Sequence, residues 1–204
     1  MPIAREGWPF ILPPLLLGAL LLLAGLPWLG GLLALLGVFS GFFFRDPERS
    51  VPLEGDLVVS PADGKVVGVS TVAEAGAPTQ ISIFLSIFDV HVNRAPIAGR
   101  IAALEYNPGE FLPAFDDKAS SRNEQNTITL ESDGTRVVFK QIAGLIARRI
   151  VFRKALGENV GRGERVGLIR FGSRVDVLLP PGFEVRVRRG DRVRGGSSVL
   201  ASRP

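Results

Sequence analysis

The chain has 204 residues, 46% hydrophobic and 22% charged, with 24 Lys and Arg against 20 Asp and Glu for a net charge of +4. That length fits one domain plus an appendage rather than two full domains. Zero cysteines exclude disulfides and thiolate metal sites, and a single histidine argues against a histidine-based metal centre. No aromatic-interleaved basic surface or nucleic-acid motif is present, so no nucleic-acid partner is expected.

Taken in order, the chain opens with 38 positions, Gly7 to Phe44, that carry no charge. A single bilayer crossing needs only about 20. Gly25-Leu26-Pro27 interrupts this tract, and proline there favours a turn. The pattern predicts two short apolar helices, about Leu12 to Ala24 and Trp28 to Phe43, that form a membrane hairpin over residues 1–44. Each is shorter than the usual span, so a shallow re-entrant hairpin fits equally well. A cleaved signal peptide is disfavoured, because the apolar tract runs far past any cleavage point. Arg5 at one end, with Arg45 and Arg49 at the other, puts both ends and the remaining chain on the cytoplasmic side of the cell membrane.

Residues 45–204 read as a β domain. Short β-branched runs at Leu57 to Ser60, Lys65 to Val69, Gln80 to Phe88, Asn126 to Leu130, Arg136 to Ile142 and Arg149 to Phe152 alternate with Gly, Pro and Asp. Such spacing predicts a barrel or sandwich rather than alternating strands and helices. Asp133-Gly134 reads as a hairpin turn, Ala143 to Arg149 as a short helix, and Pro108 to Asn126 as a long surface loop of the kind that serves as a lid. Val160-Gly161-Arg162-Gly163-Glu164-Arg165-Val166 is echoed by Val187-Arg188-Arg189-Gly190-Asp191-Arg192-Val193. The echo resembles the hammerhead turns of lipoyl-like domains, but no lysine sits at a turn tip to act as a carrier arm.

Two apolar runs, Val166 to Phe171 and Val175 to Leu179, flank Gly172-Ser173. A glycine there reads either as a bulge or as a site of chemistry. In the second reading the Ser173 hydroxyl attacks the Gly172 carbonyl and an ester replaces the amide. β-Elimination and hydrolysis then leave a pyruvoyl group at position 173. His91 is the one side chain whose ordinary pKa suits proton transfer near neutrality. Asp89 and His91 alternate after an apolar run and are expected to face the same way. Asp63, before Gly64, reads as a turn residue. Twenty of the 24 basic residues are Arg, which suits anionic headgroups but fits a codon preference as well. Arg148-Arg149 and the arginines from Arg186 to Arg189 are candidate phosphate contacts.

The run Arg170-Phe171-Gly172-Ser173-Arg174-Val175-Asp176-Val177 resembles the cleavage motif of the short-form phosphatidylserine decarboxylases. Phe44-Arg45-Asp46-Pro47, Ser60-Pro61-Ala62-Asp63-Gly64, Phe88 to Arg94 and Gln141-Ile142-Ala143-Gly144 extend the likeness in the right order. The resemblance implies self-cleavage into a 1–172 β chain and a 173–204 α chain that stay associated. It also implies a pyruvoyl cofactor made from Ser173, with no metal or pyridoxal phosphate. The ketone would condense with the amino group of phosphatidylserine and act as the electron sink that releases phosphatidylethanolamine. It further implies an Asp63/His91/Ser173 relay. The two-histidine stretch of longer relatives keeps His91 and has Arg94 in the second place. Gln125 replaces an arginine in Asn123-Glu124-Gln125-Asn126. Arg94, Phe88, Phe171, Arg148 and Arg149 are expected at the substrate, and Phe88, Phe111, Phe115 and Phe171 as apolar lining. The expected architecture is mainly β, a barrel- or sandwich-like catalytic domain with lipoyl-like elements behind a helical hairpin. Decarboxylation of archaetidylserine and a non-catalytic membrane-tethered β-domain are the alternatives, and assembly into a homo-oligomer stays open.

Overall fold

The computed structural model describes residues 2–71, 78–116, 118–145, 149–170 and 172–203. The chain forms two compact units, Met1–Glu48 and Arg49–Pro204. In the first, α1 (Trp8–Leu23) and α2 (Pro27–Phe43) pack as a hairpin. α1 starts earlier than the predicted Leu12. Pro9 occupies its first turn, where no N–H is required, and the helix runs through Pro13 and Pro14. It ends in a Schellman motif: Gly25 takes φ +77°, Leu26 N–H donates to Leu21 O at 2.9 Å and Gly25 N–H donates to Leu22 O at 3.2 Å. Pro27 then opens α2. The helices touch through glycines, since a Cβ on Gly30 would lie 2.8 Å from Gly18 O. Ala4 N–H donates to Phe44 O and Asp46 N–H to Pro2 O, both at 2.8 Å, so Arg5 and Arg45 sit at the same end of the hairpin. The outer faces expose Leu16, Leu20, Leu35 and Val38. Arg5–Leu23 is long and apolar enough to cross a membrane.

The second unit is mainly β, as expected. Its strands are β1 (Leu57–Val59), β2 (Gly64–Thr71), β3 (Thr79–Leu85), β4 (Val92–Arg94), β5 (Gly99–Asn107), β6 (Gln125–Ser132), β7 (Thr135–Ile142), β8 (Ile150–Phe152), β9 (Asn159–Val160), β10 (Arg165–Ile169), β11 (Ser173–Leu179), β12 (Glu184–Val185), β13 (Arg192–Val193) and β14 (Val199–Ser202), with a one-turn helix α3 (Ala119–Arg122) before β6. Among the described residues, eight strands form one antiparallel sheet curled into a half-barrel, in the order β13-β2-β3-β11-β7-β6-β5-β9. Two three-stranded sheets, β4-β10-β8 and β1-β14-β12, hold the other strands among the described residues. Alternate residues of four neighbouring strands supply the core: Ile81, Ile83 and Leu85; Val175, Val177 and Leu179; Val137 and Phe139; Ile128 and Leu130. Each such side chain is worth roughly 1.5–3 kcal/mol on burial.

Several boundaries differ from the sequence expectation. β3 stops at Leu85, because Asp89 Oδ2 accepts from Ser86 N–H at 2.8 Å and from Ser86 Oγ–H at 2.7 Å and so bends the chain into a turn. Asp89 and His91 are therefore in a turn and link, not on a strand. β5 was not foreseen; among its nine residues only Ile101 is buried, which leaves little apolar alternation to read. The expected loop over 108–126 contains α3 and the start of β6. Ala143, Gly144, Leu145 and Arg149 are not helical, and the remaining part of that expected helix, Ile146 to Arg148, lies outside the described residues. The two echoed segments fold as the same turn. Gly163 and Gly190 take φ +73° and +103°, and the acid that follows each accepts from the N–H three residues earlier, Glu164 from Gly161 at 2.7 Å and Asp191 from Arg188 at 2.9 Å.

Candidate active site

β11 runs through the middle of the large sheet, with β3 on one side and β7 on the other, and Ser173 is its first residue. Ser173 pairs with Leu85, and Arg174 lies between Phe84 and Ile142. Gly172, just before the strand, has φ +72°, a left-handed conformation that strains other residues. This kink separates β10 from β11 and turns the Gly172–Ser173 peptide into the sheet. Ser173 is fully buried, and its Oγ has no hydrogen-bond partner among the described residues. A buried hydroxyl normally finds one.

His91, 2% exposed, stands beside this peptide. Gly172 N–H donates to His91 Nε2 at 3.2 Å, while Nδ1 lies 3.0 Å from the Asp89 main-chain oxygen. An amide N–H can only donate, so Nε2 is the acceptor. The proton then sits on Nδ1 and the ring is neutral. Asp63 is engaged elsewhere: Oδ2 accepts from Arg49 Nη2 at 2.6 Å and Oδ1 from Gly195 N–H at 2.8 Å. Burial raises the Asp63 carboxyl above its ordinary pKa, against the lowering effect of Gly195 N–H and the Arg49 guanidinium. Asp63 and Asp89 line one polar cavity of about 630 Å³ together with Arg192, Arg194, Ser197 and Ser198. Thus the main-chain oxygen of Asp89 orients the imidazole, and the Asp63 carboxylate lies in the neighbouring polar cavity.

A second, largely apolar cavity of about 390 Å³ opens at Gly172 and is lined by Phe84, Ser86, Ile87, Pro113, Ala114, Phe115, Leu145 and Gly172. Of the phenylalanines expected as lining, Phe115 takes part, edge-on to Phe84 with ring centroids 6.2 Å apart. Phe88, 64% exposed, and Phe111 are not among the lining residues, and Phe171 lies outside the described residues. Arg94 is buried and donates through Nη1 to Gly163 O at 2.9 Å, which draws its guanidinium toward the β9–β10 turn. Arg149 is exposed, and Arg148 lies outside the described residues. Arg186 and Arg188 pair with Glu184 and Asp191. Among the described residues no cluster of three or more His, Cys, Asp or Glu is placed to hold a metal.

Sequence reasoning missed a buried polar network next to Ser173. Arg174 Nε donates to Asp176 Oδ1 at 2.8 Å, Nη2 to Ser82 Oγ at 2.7 Å and Nη1 to Asp116 O at 3.3 Å. Asp176 Oδ2 accepts from Gln80 Nε2 at 3.0 Å and from Ser120 Oγ–H. The network ties the start of β11 to the 113–116 wall of the apolar cavity. Its signal was legible, since opposite charges two residues apart on a strand share one face. Asn123 is a second such residue. Its Nδ2 donates to Ala143 O and Leu112 O, both at 2.8 Å, and its Oδ1 accepts from Leu112 N–H at 2.9 Å.

The chain is similar to known proteins over most of its length. The family model described as phosphatidylserine decarboxylase matches residues 36–201. A phosphatidylserine decarboxylase proenzyme of Solibacter usitatus is 54% identical over 181 residues, covering 86% of this chain and 87% of its own. The proenzyme of Symbiobacterium thermophilum is 51% identical over 212 residues, covering 99% and 96%. That of Burkholderia mallei is 45% identical over 206 residues, covering 99% and 95%.

Proposed function

The chain belongs to the phosphatidylserine decarboxylase family, and from that membership we propose that it cuts itself between Gly172 and Ser173 and then decarboxylates phosphatidylserine to phosphatidylethanolamine. The observation that carries the reading is the buried, unpartnered Ser173 hydroxyl, set one residue after a left-handed glycine whose N–H rests on the lone pair of His91 Nε2.

The cut proceeds in balanced steps on the chain's own atoms. Ser173 Oγ forms a bond to the Gly172 carbonyl carbon, the Gly172–Ser173 C–N bond breaks, and the hydroxyl proton ends on the freed Ser173 nitrogen. Loss of the Ser173 Cα proton and of the Cβ–Oγ bond then expels Gly172 as a carboxylate. Water replaces nitrogen at the remaining Cα, releasing ammonia and leaving a ketone at position 173. His91 Nε2 is neutral and unprotonated, which is the state a general base requires. To take the hydroxyl proton, Nε2 would turn from the Gly172 N–H to the Ser173 Oγ–H.

The residues present fit a pyruvoyl group at 173. Such a ketone supplies an electron sink for the bonding pair left behind when carbon dioxide departs. The chain provides the setting. Phe84, Pro113, Ala114, Phe115 and Leu145 give Gly172 an apolar wall, and such a wall favours a carboxylate that loses its charge. The β11 ladder and the Arg174–Asp176 pair hold residue 173 after its covalent tie to Gly172 is lost. The α and β chains stay together because β11 remains hydrogen-bonded on both sides. The hairpin over residues 1–44 anchors the protein in the cell membrane, with the β unit on the cytoplasmic side, as the arginines at its ends favour.

Denaturing mass spectrometry of the purified protein tests the reading. The expected products are a chain ending at Gly172 and a chain beginning with a ketone at position 173. Ser173→Ala should remain intact and inactive. A wild-type protein that decarboxylates phosphatidylserine as one unbroken chain would refute the proposal.

A further inference from the structure

Gly144 lies directly against the carbonyl of Gly172. A Cβ placed on Gly144 would stand 2.4 Å from Gly172 O, 3.4 Å from its carbonyl carbon and 3.1 Å from Ala114 Cβ. The two glycines are needed for different reasons. At Gly172 an added Cβ meets nothing within 4 Å, and the constraint is the positive φ. At Gly144 the constraint is space.

The segment that carries Gly144 is pinned. Asn123, 1% exposed, donates to Ala143 O at 2.8 Å and is tied to both the N–H and the oxygen of Leu112. Ala143 N–H donates to Glu124 O at 2.9 Å, and Ile142 is in register with Arg174. His91 meanwhile holds the other end of the same residue, the Gly172 N–H. The scissile carbonyl is therefore fixed by two independent parts of the fold.

We infer that Gly144 is a positioning residue for the self-cleavage step: its missing side chain forms a slot for the Gly172 carbonyl oxygen, and Asn123 holds that slot in place. The inference rests on the proposed cut at Gly172–Ser173. As Ser173 Oγ bonds to the carbonyl carbon, the carbonyl π pair moves onto the oxygen, which must sit where the carbon can accept attack. A methyl group at 144 would have to push that oxygen about 1 Å to reach ordinary contact, and a misplacement of that size costs on the order of 100-fold in rate. The loss falls on the acyl shift, before any ester exists.

The test uses full-length protein in detergent, followed over time by denaturing gels with and without hydroxylamine. Hydroxylamine splits esters but not amides, so it separates a block before the acyl shift from one after it. Wild type should process to two chains. Gly144→Ala should stay whole at least ~100-fold longer and stay whole in hydroxylamine. Gly144→Ala/Ala114→Gly removes the clash with Ala114 but not that with the oxygen, and should also stay whole. Asn123→Asp keeps the side chain's shape but loses the donor to Ala143 O, and should slow cleavage about 10-fold without depending on whether Gly144→Ala folds. The inference is overturned if Gly144→Ala or Asn123→Asp processes at the wild-type rate, if Ala114→Gly restores cleavage, or if Gly144→Ala accumulates a hydroxylamine-sensitive ester. A wild-type chain that never cleaves would instead defeat the proposed function.

Discussion

Replacing Asp176 with alanine would leave the Arg174 guanidinium buried without its carboxylate. The two side chains are 1% and 6% exposed, so neither can recover its losses from water. Removing one partner of a buried pair costs about 3–5 kcal/mol. At roughly 3 °C per kcal/mol for a β unit of this size, the thermal midpoint should fall by about 9–15 °C. Arg174→Met/Asp176→Leu removes both charges and keeps the volume. Gln80 retains Ser82 Oγ at 3.3 Å and Ser120 is half-buried, so the double variant should lose only about 1–2 kcal/mol for polar groups left without partners. The assay is thermal unfolding of the full chain in detergent, read from the β-sheet band of the circular dichroism spectrum. Fluorescence will not serve, because Trp8 and Trp28 both lie in the helical unit. If Asp176→Ala is no less stable than the double variant, the ion pair does not hold this end of β11.

Three further outcomes are expected. Phe139 is fully buried in the core, and Phe139→Ala should cost about 3–5 kcal/mol, seen as a lower denaturant midpoint; a change below about 1 kcal/mol would place the core elsewhere. Asp63 has a folded pKa above its ordinary 3.8, mainly through burial. The folded state therefore binds this proton more tightly, and the stability it contributes is present at low pH and lost as pH rises through the raised value. Arg49→Met removes a lowering influence and moves that value higher still, so the stability gap to wild type should open with rising pH and close below 3.8; a gap independent of pH would contradict the assignment. In the hairpin, a Cβ on Gly30 would fall 2.8 Å from Gly18 O and 2.7 Å from Leu22 Cγ. Gly30→Val should cost about 1–3 kcal/mol through overpacking, measured as a lower SDS fraction at the tryptophan fluorescence transition, and an unchanged midpoint would count against close helix contact.

The hairpin was legible because an uncharged tract with Gly-Leu-Pro at its middle leaves few other structures to the backbone. The interior strands were legible because β-branched residues at every second position have one face to bury. β5 was not, since a strand with one buried side chain carries no alternation to detect. The turn at Ser86 to Asp89 was also missed. Ile87 and Phe88 continue the apolar run, yet the Asp89 carboxylate takes the Ser86 N–H and bends the chain.

The order of residues offered Gly172, Ser173 and His91 as candidates, with a bulge as the other reading of the glycine, and it was the resemblance to a known cleavage motif that joined them. What the order could not supply was the company each group keeps. That Asp89 presents its main-chain oxygen to the imidazole, that Asp63 turns to Arg49 and Gly195, and that Gly144 closes on a carbonyl 28 positions further along the chain are results of how the sheet curls. Partners distant in the chain meet only when strands pair in register, and that register is set by the whole core at once.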